Sequence, residues 1–138
     1  MRPVALAFAL ACTLAATSLL GAGCAGHAGG IHPDGVRPDQ IGAVQEGEAA
    51  WYADRFHGRR TASGEPYDKR GFTAAHRTLR LGTRCRVTNQ KNGRRVVVRI
   101  NDRGPGSHKR IIDLSRAAAE ALDFISAGHA RVLVEVLR

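Results

Sequence analysis

At 138 residues the chain has room for one ordinary domain; removing an N-terminal export segment leaves about a hundred residues for a core, which excludes a second domain. The balance is basic, with 21 Lys and Arg against 12 Asp and Glu and a formal charge of +9, which points to anionic partners. Of the three cysteines, Cys12 and Cys24 lie near the start and leave Cys85 without a mate, so a disulfide framework is excluded.

The chain opens on Met1 and Arg2, then runs from Val4 to Leu20 through Ala, Leu, Phe, Cys, Thr and Ser before turning small at Gly21-Ala22-Gly23. A lone cation, an apolar stretch and a small-residue exit without a charged stop-transfer flank predict a signal peptide over 1–23 rather than a permanent span. Cys24 follows directly, where a bacterial lipoprotein is cleaved and acylated, although Gly21 stands where the usual signal carries leucine. Lipid chains on Cys24 would anchor the protein to a membrane face, each buried methylene contributing about 0.8 kcal/mol. With Arg2 removed, 20 basic residues face 12 acidic ones. On an exported protein that surface suits carboxylate-bearing wall polymer or anionic lipid, and no nucleic-acid partner is expected. Residues 24–43 carry Gly26, Gly29, Gly30, Pro33, Gly35, Pro38 and Gly42 with no apolar period, and read as a flexible tether.

From Gly47 onward, strand patterns dominate. Glu48 to Ala53 is a first candidate; Arg84 to Asn89 and Arg94 to Ile100 are two more, rich in β-branched residues and separated by the turn signal Asn92-Gly93. Cys85 falls inside this alternation, so it reads as a small buried hydrophobe. Ile111 to Leu114 is a short apolar strand. Ser115 then offers an N-cap to a helix whose apolar positions Ala118, Ala121, Leu122 and Ile125 recur at helical spacing, with Gly128 as the stop and Ala130 to Leu137 as a closing strand. About six short strands with one short helix predict a mainly β domain over 44–138, best met by a small closed barrel. Pattern alone leaves a sandwich open.

The ordered segments Gly47-Glu-Ala-Ala-Trp51-Tyr52, Thr61-Ala-Ser-Gly-Glu65, Thr73-Ala-Ala-His76, Leu79-Arg-Leu-Gly-Thr83, Asn92 through Asp102-Arg-Gly-Pro105 and Arg110-Ile-Ile-Asp-Leu-Ser-Arg-Ala-Ala-Ala119 resemble the rare lipoprotein A family across the whole predicted domain. The resemblance implies a six-stranded double-psi β barrel. It further implies an exported, membrane-anchored envelope enzyme, an endolytic peptidoglycan lytic transglycosylase. Such an enzyme breaks the MurNAc-GlcNAc bond of glycan strands and closes the muramic 6-hydroxyl onto C1, leaving 1,6-anhydroMurNAc ends. Some barrels of this architecture bind or loosen polysaccharide without cutting it, so a non-catalytic, expansin-like wall-binding module stands as the alternative. Arg80 and Ala53 depart from the family pattern, and the C-terminal sporulation-related repeat of many relatives is expected to be missing.

Lytic transglycosylation needs a proton donor for the leaving oxygen and an acceptor for the 6-hydroxyl proton. Asp102 is the first choice, since Gly104 and Pro105 behind it suit a sharp exit that leaves the carboxyl facing a groove. The resemblance adds Glu65 as a supporting carboxyl and His76 as a group that orients a carboxylate or touches the sugar. Trp51 and Tyr52 alternate in direction, and Tyr52 is expected toward the groove. Thr61, Ser63, Asn101 and Arg103 are candidate donors to the glycan, Arg103 through its planar fork. A zinc site from His57, His76 and Asp102 lacks a closely spaced ligand pair, so no metal or cofactor is expected; the protein is expected to act as a monomer.

Overall fold

The computed structural model describes residues 40–137; the leader, Cys24 and the tether as far as residue 39 lie outside the described residues. In chain order the elements are β1 (Val44–Trp51), a 3-10 turn (Asp54–Phe56), β2 (Thr73–His76), β3 (Arg84–Asn89), β4 (Arg95–Asp102), β5 (Arg110–Leu114), helix α1 (Arg116–Ala121) and β6 (His129–Val136). The strands close in the order β1-β5-β2-β4-β3-β6. Two pairings, β1 with β5 and β2 with β4, are parallel, and the remaining four are antiparallel. Closed in this way, the described residues form the double-psi β barrel expected from the family resemblance, and among them no sheet edge is left for another chain to pair with.

Alternation puts one face of each strand inside. In β3 the inner residues are Cys85, Val87 and Asn89; in β4 Val98 and Ile100; in β5 Ile112 and Leu114; in β6 Val132, Val134 and Val136. Each fully buried valine, leucine or isoleucine contributes about 1.5–3 kcal/mol of transfer free energy. Cys85 is fully buried, and burial pushes its thiol up to about 12, so it fills space and stays inert. Asn89 is the polar exception inside. Its Nδ2 donates to the Leu122 carbonyl at 2.9 Å and its Oδ1 accepts from the Lys91 amide at 3.0 Å, so it ties the β3–β4 hairpin to the helix end.

The helix is shorter than its apolar spacing predicts. Ser115 caps it as expected, its side chain accepting from the Ala118 amide, but α1 stops at Ala121 rather than running on toward Gly128. Asp123 takes a left-handed conformation (φ 58) directly after the C-cap Leu122, which ends the helix, while Phe124 still packs inward. The strands differ from expectation as well. β1 begins at Val44 and its pairing reaches back to Gly42 and Ala43, which exchange backbone hydrogen bonds with Val136, so the last residues of the predicted tether belong to the barrel. β4 extends two residues past Ile100 to Asp102, and β2 (Thr73–His76), whose position the periodicity does not reveal, lies between β4 and β5.

Two irregularities set the side chains of the site. Between β2 and β4, Ala74 pairs with Ile100 but Ala75 pairs with Asp102, so Asn101 is an extra residue in β4. Between β1 and β5, Glu48 pairs with Arg110 but Ala49 pairs with Ile112, so Ile111 is extra in β5. A bulge of this kind re-aims the residues after it.

Candidate active site

The inner face at this level is defined by Ala74, in register with Ile100 on one side and Leu114 on the other, all buried. The next residue of β2, Ala75, points the other way. It is in register with Asp102 of β4 and with Asp113 of β5. Without the Asn101 bulge, Asp102 would follow Ile100 inward by simple alternation; with it, the carboxyl emerges on the outer face. There Oδ1 accepts from the amides of Ala62 (2.9 Å) and Arg103 (2.8 Å), and Oδ2 accepts from the Tyr52 hydroxyl at 2.8 Å. Asp102 remains partly exposed.

Tyr52 leaves the end of β1 on this face, while Trp51, one residue earlier, packs against the core. The Tyr52 ring lies 4.8 Å from that of Tyr67, a buried residue whose hydroxyl accepts from the Arg116 amide. Burial and the neighbouring Asp102 push the Tyr52 phenol far up, so it donates to Asp102 and does not ionise. Tyr67 carries no sequence signal that marks it as part of this arrangement. Beside Tyr52 is a shallow depression lined by Trp51, Arg55, Phe56, Arg110 and Asp113, with the guanidinium groups of Arg55 and Arg59 lying over the Phe56 ring at 5.1 and 5.4 Å.

Glu65 sits on the loop from Thr61 to Pro66, which is docked on the end of β4 through the Ser63 amide to the Asn101 carbonyl (3.0 Å) and the Ala62 amide to Asp102. The Glu65 carboxylate accepts from Asn101 Nδ2 at 2.8 Å and lies 2.8 Å from Arg99 Nη1 and 3.2 Å from Nη2. The Arg99 guanidinium, then the Asn101 amide, hold its carboxyl below the usual range, so it is an anion at neutral pH. Asn101 and Asp102 are consecutive and opposed: one side chain reaches Glu65 and the other Tyr52. The two acids therefore share a loop, and among the described residues no hydrogen bond joins them.

His76 is 3% exposed and touches neither carboxylate. Its Nδ1 accepts from the Thr78 and Leu79 amides at 3.2 and 3.1 Å, which fixes the proton on Nε2, 3.1 Å from Gln45 Oε1. The expected contact with a carboxylate or sugar is thus replaced by a structural one, since both ring nitrogens are already used. Burial, with Arg77 and Arg103 nearby, pushes its pKa down to about 4. Two of the expected glycan donors are likewise turned inward: Thr61 is 8% exposed with Oγ1 donating to the Glu65 carbonyl (2.7 Å), and Asn101 is 2% exposed and spent on Glu65. Ser63 is exposed, its hydroxyl 3.0 Å from Thr61 Oγ1. Arg103 directs Nη1 at the carbonyls of His76 (3.2 Å) and Leu79 (2.7 Å), clasping the end of β2. Arg77 returns the clasp, donating to the carbonyls of Pro105, Ser107 and Arg110 at 3.1, 2.9 and 2.8 Å. The loop behind Asp102 is thereby fixed from both sides. Among the described residues no group of three or more His, Cys, Asp or Glu side chains is close enough to hold a metal ion.

The family model described as lytic transglycolase matches residues 44–134. Among curated proteins, the chain is similar to the endolytic peptidoglycan transglycosylase RlpA of Neisseria meningitidis, 56% identical over 92 residues, covering 67% of this chain and 38% of the relative. The RlpA of Pseudomonas aeruginosa is 56% identical over 89 residues, covering 64% of this chain and 26% of the relative. The matched stretch is therefore well under half the length of these relatives. Among solved structures, the Streptomyces papain inhibitor superposes with a TM-score of 0.59 at 26% identity, over 71% of this chain and 97% of its own. A mutant Clavibacter michiganensis expansin in complex with cellohexaose gives 0.56 at 23% identity, over 70% of this chain and 51% of its own; that likeness is one of fold.

Proposed function

Because the chain belongs to the lytic transglycolase family, whose model spans 44–134, we propose that it is an endolytic peptidoglycan lytic transglycosylase. It cleaves the MurNAc-GlcNAc bond of glycan strands in the cell envelope, where an acylated Cys24 holds it to a membrane. Asp102 manages the proton at the reacting 6-hydroxyl. Its carboxyl is partly exposed beside the Tyr52 depression and held by three donors, which fix its position before substrate arrives; that observation carries the reading. Glu65, an anion locked to Arg99 and Asn101, fixes the loop that supplies the Ala62 amide to Asp102. His76 and Arg103 organise the end of β2 from beneath. Exposed Ser63 and the Tyr52 ring are the groups left to meet the glycan.

Incubation of the purified protein with peptidoglycan, followed by mass spectrometry of released fragments, tests this. Anhydromuramic ends are expected, falling by about 100-fold or more in Asp102→Asn, the scale of a positioned acid or base. Binding to peptidoglycan without such ends would leave the non-catalytic wall-binding alternative in its place.

A further inference from the structure

A transglycosylation step needs a proton delivered as well as one removed, and Asp102, accepting from three donors, is arranged for removal. A second carboxyl stands on the same face. Ala75 has Asp102 as its partner on one side and Asp113 on the other, so the three side chains point the same way, with the Ala75 methyl buried between the acids beneath Gly104. Neighbouring strands are about 4.8 Å apart, which puts the two aspartate backbones about 10 Å apart across β2. From that backbone separation, carboxyls leaning toward each other can reach the span of about 5–9.5 Å at which paired acids flank a glycosidic bond.

Asp113 has the surroundings of a donor. Its side chain is 17% exposed, and burial pushes its carboxyl above the ordinary range against the opposing pull of Arg110 and Arg77. Arg110 Nε lies 3.1 Å from Oδ1 yet is misaligned, leaving Oδ1 buried without a hydrogen bond, and Arg110 Nη2 reaches Oδ2 only at 3.5 Å. This ion pair is close but poorly directed. The carboxyl borders the depression that Tyr52 and Phe56 also line.

We propose that Asp113 is the proton donor of the reaction and Asp102 its acceptor, the two acting on a glycan seated at the depression beside Tyr52, which touches Asp102 and lines that depression together with Asp113. The Asp113 carboxyl gives its proton to the departing glycosidic oxygen as the C1–O4 bond breaks. The muramic 6-hydroxyl oxygen bonds to C1 and its proton passes to the Asp102 carboxylate. Asp113 ends ionised and Asp102 protonated, and exchange with solvent restores both, with no water consumed. The assignment rests on the transglycosylase reading and divides its acid and base roles between two residues.

The test compares glycan strands with a muramyl glycoside carrying a dinitrophenyl leaving group, which departs without protonation. On glycan strands Asp113→Asn is expected to lose about 100-fold or more, and on the activated glycoside less than about 10-fold, whereas Asp102→Asn loses activity on both. A merely structural role for Asp113 would lower both rates alike and overturns the assignment, as does near-normal cleavage of glycan strands by Asp113→Asn. Where that variant does not fold, the unmodified protein carries the same test. Its rate on glycan strands should fall at alkaline pH while its rate on the activated glycoside does not, and matching profiles overturn the assignment. The titratable and charged groups facing Asp113 in that titration are Arg110 on its own strand, Arg55 of the 3-10 turn, Arg77 after β2, Asp102 on β4, Tyr52 after β1 and His129 of β6 beyond Ala50. Absence of anhydromuramic ends with the unmodified protein refutes the transglycosylase reading itself, a distinct outcome.

Discussion

His76 gives the barrel a defined sensitivity to mild acid. In the folded protein its pKa is pushed down to about 4, against an ordinary value of 6.5, because burial at 3% exposure disfavours the charged ring and Arg77 and Arg103 stand nearby. At pH 7.5 the ring is neutral whether the chain is folded or not, so it contributes nothing to the pH dependence there. As pH falls below 6.5 the unfolded chain takes up a proton that the folded one refuses, and stability declines until pH reaches about 4, where the folded ring protonates as well. Evaluated at pH 5, these two constants give a loss of about 2 kcal/mol relative to pH 7.5. Carboxylates whose folded pKa is lowered, such as Glu65, lose their contribution only at lower pH. Asp113 acts with the opposite sign: its folded pKa is raised, so its contribution is present in acid and lost as pH rises through that raised value. Urea unfolding of the unmodified protein and of His76→Gln between pH 5 and 7.5 separates the terms. The difference between the two profiles should change by about 2 kcal/mol across the range. Parallel profiles, within about 0.5 kcal/mol, would refute the account of a ring held neutral by burial.

Tyr52→Phe removes the donor to Asp102 Oδ2 but keeps the ring on Tyr67; a hydrogen bond to a charged group is worth about 1.5–3 kcal/mol, so turnover should fall about tenfold or more with peptidoglycan binding unchanged. Turnover within twofold of normal would contradict this. Leu122→Ala opens a cavity at a fully buried position and should cost about 2–5 kcal/mol in denaturant unfolding. Arg99→Gln removes the main cause of the lowered Glu65 pKa, so carbon-detected NMR titration should find that carboxyl shifted upward; an unmoved titration would mean that Asn101 alone sets it.

The barrel was legible where the strand faces are chemically distinct. The Asn92-Gly93 turn (Gly93 φ 73) and the valine-rich β4 and β6 announce themselves, as does the Ser115 cap. β2 does not, because Thr-Ala-Ala-His has neither length nor bulk; it is held by β4 and β5 on its two edges, and sequence periodicity contains no record of that enclosure. The same enclosure buries His76, which reads as a polar candidate until its two nitrogens are accounted for. Asp102 was visible from the glycine and proline that follow it. Asp113 was not, since Ile-Ile-Asp-Leu reads as a strand with one solvent-facing charge, and its neighbour across Ala75 lies eleven residues away in sequence on a strand to which β5 is not paired.

The extra residue Asn101 has a consequence for how such a site originates and is lost. Deleting Asn101 would restore plain alternation and leave the acid outward, directly after inward-facing Ile100 and still opposite Ala75, while removing the amide that holds Glu65. An inserted residue at this point thus adds a side chain beside the acid without turning the acid inward, a route that a substitution scan of fixed length never encounters.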